Sequence, residues 1–203
     1  GENLGMSASR NLGITQATGK YIATLDADDV WMPDKLKEQV QLLESNTDAT
    51  LIYGRWLHWN TWDPNSGETK GDYESFTDIE PDRLVQPPGL IEHFYIKRKG
   101  GHTPPPANIL FRRDAAMRVG GFENRFRGMY EDQAFLVKIF LKETVAHYPG
   151  RDLIAYTHEF AFADPNLLVC FGRKLDLAFR ERARKASSKY RIAARLDELL
   201  GRG

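Results

Sequence analysis

Hydrophobic and polar positions in the first 55 residues alternate between helical and strand-like patterns, which is typical of an α/β protein. Residues 6–18 carry apolar positions at helical spacing. Gly13 lies inside this predicted helix at a cost of about 1 kcal/mol relative to alanine, so we expect a neighbouring backbone to approach it closely. The apolar and β-branched run at 21–25 predicts a buried strand. A second helix is predicted at 33–44 and another buried strand at 49–53.

The second half of the chain continues the pattern with short predicted elements. The predicted strands are 107–111, 145–148 and 153–156, and the predicted helices are 114–119 and about 131–142. Residues 78–86 are polar and are expected to be irregular. The segment 97–106, which reads KRKGGHTPPP, contains paired glycines and three prolines and is therefore predicted to be a loop.

Three acidic residues, Asp26, Asp28 and Asp29, follow the strand predicted at 21–25. Open α/β sheets bind ligands beyond the carboxyl ends of their strands. Side chains alternate along an extended chain, so Asp26 and Asp28 point to the same side and can hold a divalent cation such as Mg²⁺. The alternative is that these acids only favour the start of the following helix.

Other charged residues allow both a functional and a structural interpretation. Arg10 lies on the helix before the acidic residues, where its cation can bind a pyrophosphate or pair with Asp26. The alternative is a surface salt bridge, which contributes under about 1 kcal/mol. Glu131 and Asp132 lie at the start of a predicted helix. Acidic residues at this position usually only stabilise the helix, through a favourable interaction with its dipole. His158 follows the last predicted strand, and a hydrogen-bonded surface histidine is its simplest interpretation.

Composition excludes several classes of protein. The chain has 203 residues, of which 41% are hydrophobic and 28% are charged, as in ordinary globular proteins. Because 28 Lys and Arg balance 28 Asp and Glu, we expect no nucleic-acid partner. The single cysteine, Cys170, excludes an internal disulfide framework and is compatible with a reducing compartment, so a cytoplasmic location is expected.

The residues around the acidic cluster resemble the central segment of the family-two glycosyltransferases, which have the GT-A fold. The pattern N-x-G-x-x-x-x-R-N-x-G-I is followed by G-x-Y-I-A-x-L-D-A-D-D-x-W-x-P-x-K-L-x-x-Q. The matching positions are Asn3, Gly5, Arg10, Asn11, Gly13, Ile14, Gly19, Tyr21, Ile22, Asp26, Ala27, Asp28, Asp29, Trp31, Pro33, Lys35, Leu36 and Gln39. So many matches in order are a stronger signal than a lone Asp-x-Asp. In weaker form the resemblance continues to about residue 149.

The resemblance implies an α/β fold with a GT-A-like (Rossmann-like) mixed sheet flanked by helices. It also implies an inverting transfer of a sugar from a nucleotide-sugar donor to a hydroxyl of a saccharide or lipid-linked acceptor, as in polysaccharide biosynthesis. Mg²⁺ or Mn²⁺ is the expected cofactor. On this resemblance Arg10, Asn11, Asp26 and Asp28 bind the donor. Asp28 is the expected main metal ligand, supported by Asp26, with His158 as a further candidate.

The same resemblance assigns the general base. A Glu-Asp pair at the start of a helix supplies this residue in the family, so we expect Asp132 to be the base and Glu131 to be the second choice. A positioned carboxylate that removes a proton in the transition state contributes about 10²–10⁴-fold.

In the family, a β-α-β portion that holds the nucleobase precedes the position of Asn3. We therefore expect the chain to be truncated at its N-terminus and to form part of a longer enzyme. Residues 1–165 are predicted to be a partial catalytic domain and 166–203 a basic amphipathic helical tail. Two alternatives are a non-catalytic GT-A-like sugar-binding module and an interaction domain that acts through the tail.

The tail is expected to contact a membrane peripherally, at its inner face. Residues 173–203 contain ten Lys or Arg and four Asp or Glu, a local net charge of +6, with apolar residues at helical spacing. Each basic residue near an anionic bilayer adds about 1 kcal/mol. Packing of the apolar stripe on the catalytic domain is the alternative.

Co-sedimentation with vesicles separates these two interpretations. For a membrane contact, binding rises with the anionic lipid content and falls with salt, and a protein truncated before residue 173 loses it. Equal sedimentation of intact and truncated protein would exclude the membrane contact. Unfolding of the truncated protein would instead indicate the packing role.

Overall fold

The computed structural model describes residues 5–61, 71–75, 77–97, 102–126 and 130–156. The helices are α1 (Met6–Gln16), α2 (Lys35–Ser45), α3 (Gly89–Ile91), α4 (Arg113–Arg118) and α5 (Glu131–Lys142). The strands are β1 (Tyr21–Ala23), β2 (Asp29–Trp31), β3 (Ala49–Trp59), β4 (Tyr73–Ser75), β5 (Arg83–Val85), β6 (Leu110–Arg112) and β7 (Thr144–Tyr156). A π-helical turn, Glu92–Lys97, follows α3, and a 3-10 turn, Pro106–Asn108, precedes β6. None of the helices in these ranges has the length and hydrophobicity needed to span a bilayer.

Two long parallel strands, β3 and β7, form the centre of a mixed sheet. Along their first halves, β6 pairs antiparallel with β3 and β1 pairs antiparallel with β6, while β5 pairs antiparallel with β7. Along their second halves, β4 pairs with β3 and β2 pairs with β7, both antiparallel. The strand order is β1-β6-β3-β7-β2, with β4 and β5 attached at β3 and β7. This mixed α/β sheet confirms the predicted fold class.

Side chains that alternate along β3 build a hydrophobic core on each face of the sheet. Leu51 and Tyr53 face α5, where they join a cluster that includes Phe111, Phe135 and Phe140. All five side chains are at most 1% exposed. Ile52 lies between them in sequence and belongs to the other cluster, with Leu43 of α2 and Leu110, Ala146 and Tyr148. The sheet is therefore covered by helices on both faces.

Three details of the predicted elements were wrong. The strand predicted at 49–53 continues to Trp59, and the strands predicted at 145–148 and 153–156 are one strand. Register shifts between Tyr53 and Trp56 accommodate extra residues of β7: Tyr53 pairs with His147, Arg55 with Arg151 and Trp56 with Leu153. The additional residues of β7 are left without a partner in β3, as in a β-bulge. Residues 83–85, expected to be irregular, form β5 because their hydrogen-bond partners in β7 are about 60 residues away in sequence.

Within the described part of the chain, the close approach expected at Gly13 is also absent. A Cβ atom placed on Gly13 has no heavy atom within 4 Å outside its own surroundings in the helix. The C-terminal tail at 166–203 and His158 lie outside the described residues, so their predicted roles stay predictions.

Candidate active site

The acidic end of β1 is held by an ion pair with α1. Arg10 donates from Nη2 to Asp26 Oδ1 at 2.7 Å, and the two side chains are 10% and 27% exposed. Both groups are thus largely shielded from water, unlike the partners of a surface salt bridge. The pairing of Arg10 with Asp26 is present, whereas the role of Arg10 toward a donor stays a prediction.

Arg10 also connects Asp26 to the start of α5 through two aromatic rings. The guanidinium carbon of Arg10 lies 5.3 Å from the centroid of the Phe122 ring, within the range of a cation–π contact. Phe122 stacks on Phe135 with the ring centroids 4.3 Å apart. Phe135 is three residues after Asp132 in α5. One chain of contacts therefore leads from the strand-end acid to the turn that carries the predicted base.

Asn11 fixes the position of Phe122 by binding its backbone at both polar atoms. The Asn11 side chain donates from Nδ2 to the Phe122 carbonyl at 2.8 Å and accepts from the Phe122 N–H at 2.7 Å. Gly121 permits this approach: its φ is +63°, and a Cβ there would lie 2.4 Å from Asn11 Oδ1. Asn11 thus positions Phe122, whose ring contacts Arg10. The predicted contact of Asn11 with a donor stays a prediction.

A second connection runs through the segment from Thr103 to Ala107. Thr24, two residues before Asp26, donates from its hydroxyl to the Pro106 carbonyl at 2.6 Å. Trp31, at the end of β2, donates from Nε1 to the Ala107 carbonyl at 2.8 Å. Thr103 accepts a hydrogen bond from Gln133 Nε2 at 2.8 Å. The segment therefore contacts the acidic strand end on one side and the first turn of α5 on the other.

The two candidate bases differ in accessibility. Glu131 is 3% exposed, whereas Asp132 is partly exposed. Tyr130, directly before them, has a φ of 67° and is 61% exposed. A left-handed φ is uncommon for a residue other than glycine, and here it occurs at the position where α5 begins. Asp132 is thus the member of the pair that can meet a group arriving from solvent.

The strand-end carboxylates fit a metal that arrives together with phosphate oxygens. Among the described residues, no hydrogen bond or ion pair engages the Asp28 carboxylate, and the Arg10 ion pair occupies only Oδ1 of Asp26. The same part of the chain contains no group of three or more His, Cys, Asp or Glu that could hold a metal. Mg²⁺ commonly uses one or two carboxylates and completes its shell with water and substrate phosphates.

Several residues of this site escaped the sequence analysis. Phe122 ends a segment, 111–122, that resembles the family's element between the metal site and the base, but no role was predicted for its side chain. Gln133 directly follows the Glu-Asp pair, and this adjacency was its only signal. Thr24 and Thr103 carry no local signal, because their contacts bridge distant parts of the chain.

Comparison with known proteins identifies the family of this chain. A family model described as "Glycosyl transferase family 2" matches residues 1–120, more than half of the chain. The chain therefore belongs to glycosyl transferase family 2, and glycosyl transfer is the reaction class of this family.

Two curated proteins and one solved structure illustrate the relationship. An uncharacterised glycosyltransferase of Haemophilus influenzae is 25% identical over 158 residues, which are 76% of this chain and 47% of that protein. Escherichia coli WfgD, a UDP-Glc:α-D-GlcNAc-diphosphoundecaprenol β-1,3-glucosyltransferase, is 35% identical over 52 residues, 26% of this chain and 20% of WfgD. The crystal structure of S. aureus TarS 1–349 matches with a TM-score of 0.53 at 12% sequence identity. The match covers 98% of this chain and 58% of that chain, and it shows that the two share a fold. The chain spans less than half of the length of these curated relatives.

Substitution of Gly121 tests the fit between Asn11 and the Phe122 backbone. Gly120 and Gly121 both have a left-handed φ, so alanine at either position costs about 1–2 kcal/mol of strain. Only at Gly121 would the new Cβ also displace Asn11. We therefore expect Gly121→Ala to lower the free energy of unfolding, measured by urea titration, by about 1–2 kcal/mol more than Gly120→Ala. Equal losses in the two variants would contradict the proposed fit.

Proposed function

We propose that the protein containing this chain transfers a sugar from a nucleoside-diphosphate sugar to a hydroxyl group of an acceptor, with inversion and with a divalent metal. The observation that carries this proposal is the double connection between the end of β1 and the start of α5. One connection runs through Arg10, Phe122 and Phe135, and the other through the segment from Thr103 to Ala107. These connections support the assignment of the donor-side and acceptor-side carboxylates to one site.

On the donor side, Asp28 and the second carboxylate oxygen of Asp26 would hold Mg²⁺ or Mn²⁺. When bound, this ion supplies charge neutralisation for the departing diphosphate. Arg10 keeps the Asp26 carboxylate in one orientation and adds a fixed positive charge beside it. These residues therefore favour the separation of the diphosphate from the sugar.

On the acceptor side, Asp132 takes the proton of the attacking hydroxyl. The partial exposure of Asp132 and the burial of Glu131 support this choice over the alternative. For inversion, the hydroxyl must attack the anomeric carbon on the face opposite the diphosphate. A base on α5 and a metal at the end of β1 supply the two groups that such a displacement requires.

The acceptor we propose is a saccharide or a lipid-linked saccharide in polysaccharide biosynthesis. WfgD carries a diphosphoundecaprenol-linked acceptor in its name, and it matches this chain over a segment of 52 residues. A lipid-linked acceptor fits the peripheral, cytoplasmic-side membrane contact proposed for the basic tail.

Asp28→Asn tests the donor side. In the full-length protein this change removes the negative charge that holds the metal, so Mn²⁺-dependent binding of UDP should fall by at least about 10-fold in calorimetry. Asp48→Asn is the matched control, because Asp48 is an exposed acid remote from the site in sequence. Unchanged Mn²⁺-dependent UDP binding in a folded Asp28→Asn protein would refute the assignment.

Asp132→Asn tests the acceptor side. Donor binding should remain nearly intact while transfer falls by at least about 10²-fold, because the variant cannot accept the proton. Glu131→Gln is measured beside it. If Glu131→Gln is the inactive variant and Asp132→Asn still transfers sugar, the base is Glu131.

A further inference from the structure

The side chain of Gln133 is the centre of a hydrogen-bond network beside the proposed base. Tyr95 donates from its hydroxyl to Gln133 Oε1 at 2.7 Å. Gln133 Nε2 donates to Thr103 Oγ1 at 2.8 Å and to Asp132 Oδ2 at 3.2 Å. Three separate segments thus meet at one amide: the π-helical turn Glu92–Lys97, the segment before β6, and the first turn of α5.

The partners of Gln133 determine the orientation of its amide. A carboxylate only accepts hydrogen bonds, so the amide must turn its NH₂ group toward Asp132 and its oxygen toward Tyr95. Burial and the nearby negative charge of Asp132 raise the pKa of Tyr95 to about 12. The phenol therefore stays protonated at neutral pH and continues to donate.

This network has a consequence for the two oxygens of Asp132. An aspartate in the first turn of a helix can rotate to accept from backbone N–H groups near its own position. Gln133 instead donates to Oδ2. Among the described residues no hydrogen bond to Oδ1 is present, so Oδ1 is the oxygen left for an incoming hydroxyl.

We propose that Gln133 is a positioning residue for Asp132, held in place by Tyr95 and Thr103; this inference rests on the proposed role of Asp132 as the base. During transfer the acceptor oxygen forms the new bond to the anomeric carbon while the bond from that carbon to the diphosphate oxygen breaks. The acceptor proton moves to Oδ1 of Asp132. Gln133 does not titrate, so it orients the acceptor of the proton without exchanging a proton itself.

Gln133→Leu is the principal test, because it keeps much of the side-chain volume and removes all three hydrogen bonds of the side chain, to Tyr95, Thr103 and Asp132. With UDP-glucose as donor, a GlcNAc-diphospholipid as acceptor and Mn²⁺ present, kcat should fall about 10-fold or more while the KM for UDP-glucose stays unchanged. The pH profile of kcat should also differ from that of the unaltered protein, because the charged carboxylate of Asp132 loses a hydrogen-bond donor. Gln41→Leu, an exposed glutamine of α2, is the matched control and should behave like the unaltered protein.

Tyr95→Phe separates positioning from general packing. This variant keeps the ring and loses only the hydroxyl that orients the amide, so a smaller loss in kcat is expected. If Tyr95 acts through Gln133, the double variant Tyr95→Phe/Gln133→Leu should be no slower than Gln133→Leu alone. Additive losses, or lower stability with an unchanged kcat and pH profile, would overturn the inference. If Gln133→Leu fails to fold, kcat and its pH profile are measured in Tyr95→Phe and Thr103→Val instead, and these two variants decide the outcome.

Comparison of Asp132→Asn with Gln133→Leu separates a failure of this inference from a failure of the proposed function. If Asp132→Asn transfers sugar normally, the base assignment fails first. If Asp132→Asn is inactive and Gln133→Leu has a normal kcat and pH profile, only the positioning role fails. If no transfer occurs between UDP-glucose and the GlcNAc-diphospholipid, NMR replaces the kinetic assay. The side-chain amide signal of Gln133 should shift with pH in the unaltered protein and should not shift in Asp132→Asn. A Gln133 signal that is independent of pH in the unaltered protein would also overturn the inference.

Discussion

The ion pair between Arg10 and Asp26 is the interaction on which the rest of the site depends. It joins α1 to the end of β1 with both side chains largely shielded from water, and it places the guanidinium on Phe122. Removing one partner of a shielded pair leaves the other charge uncompensated, which costs more than the loss of a surface salt bridge. The geometry of the acidic strand end therefore depends on the docking of α1, and through Phe122 on the docking of α5.

The same ion pair gives the carboxylates of Asp26 and Asp28 different surroundings. One oxygen of Asp26 is committed to Arg10, so Asp26 can offer at most its other oxygen to a metal. Asp28 makes no contact of this kind within the described ranges, so neither of its carboxylate oxygens is engaged there. This asymmetry supports our proposal that the two acids differ in their main role, structural support at Asp26 and ligand binding at Asp28.

The sequence predicted the features that are encoded locally. The strand predicted at 21–25, observed at 21–23, and the helix after the acids have short-range patterns. The fold class came from the family resemblance, and the pairing of Arg10 with Asp26 was one of the alternatives that their placement allowed. Gly13 and Gly121 show the limit of such patterns. Both are glycines near a helix, yet only Gly121 is approached closely, by Asn11 from 110 positions earlier in the chain. Gln133 and Thr103 likewise meet across 30 residues. Contacts of this kind depend on the packing of whole elements, which no local pattern records.

The central claim is that the acids at the end of β1 and the acid at the start of α5 serve one reaction centre. Crystals of the full-length protein grown with Mn²⁺ and UDP test it most directly, because anomalous scattering locates the metal independently of the protein atoms. The account predicts an anomalous peak at the Asp28 carboxylate and the UDP diphosphate, with Arg10 still paired to Asp26 and Asp132 facing the same cavity. A metal bound without Asp28, or an Asp132 carboxylate that faces away from the diphosphate, would contradict it.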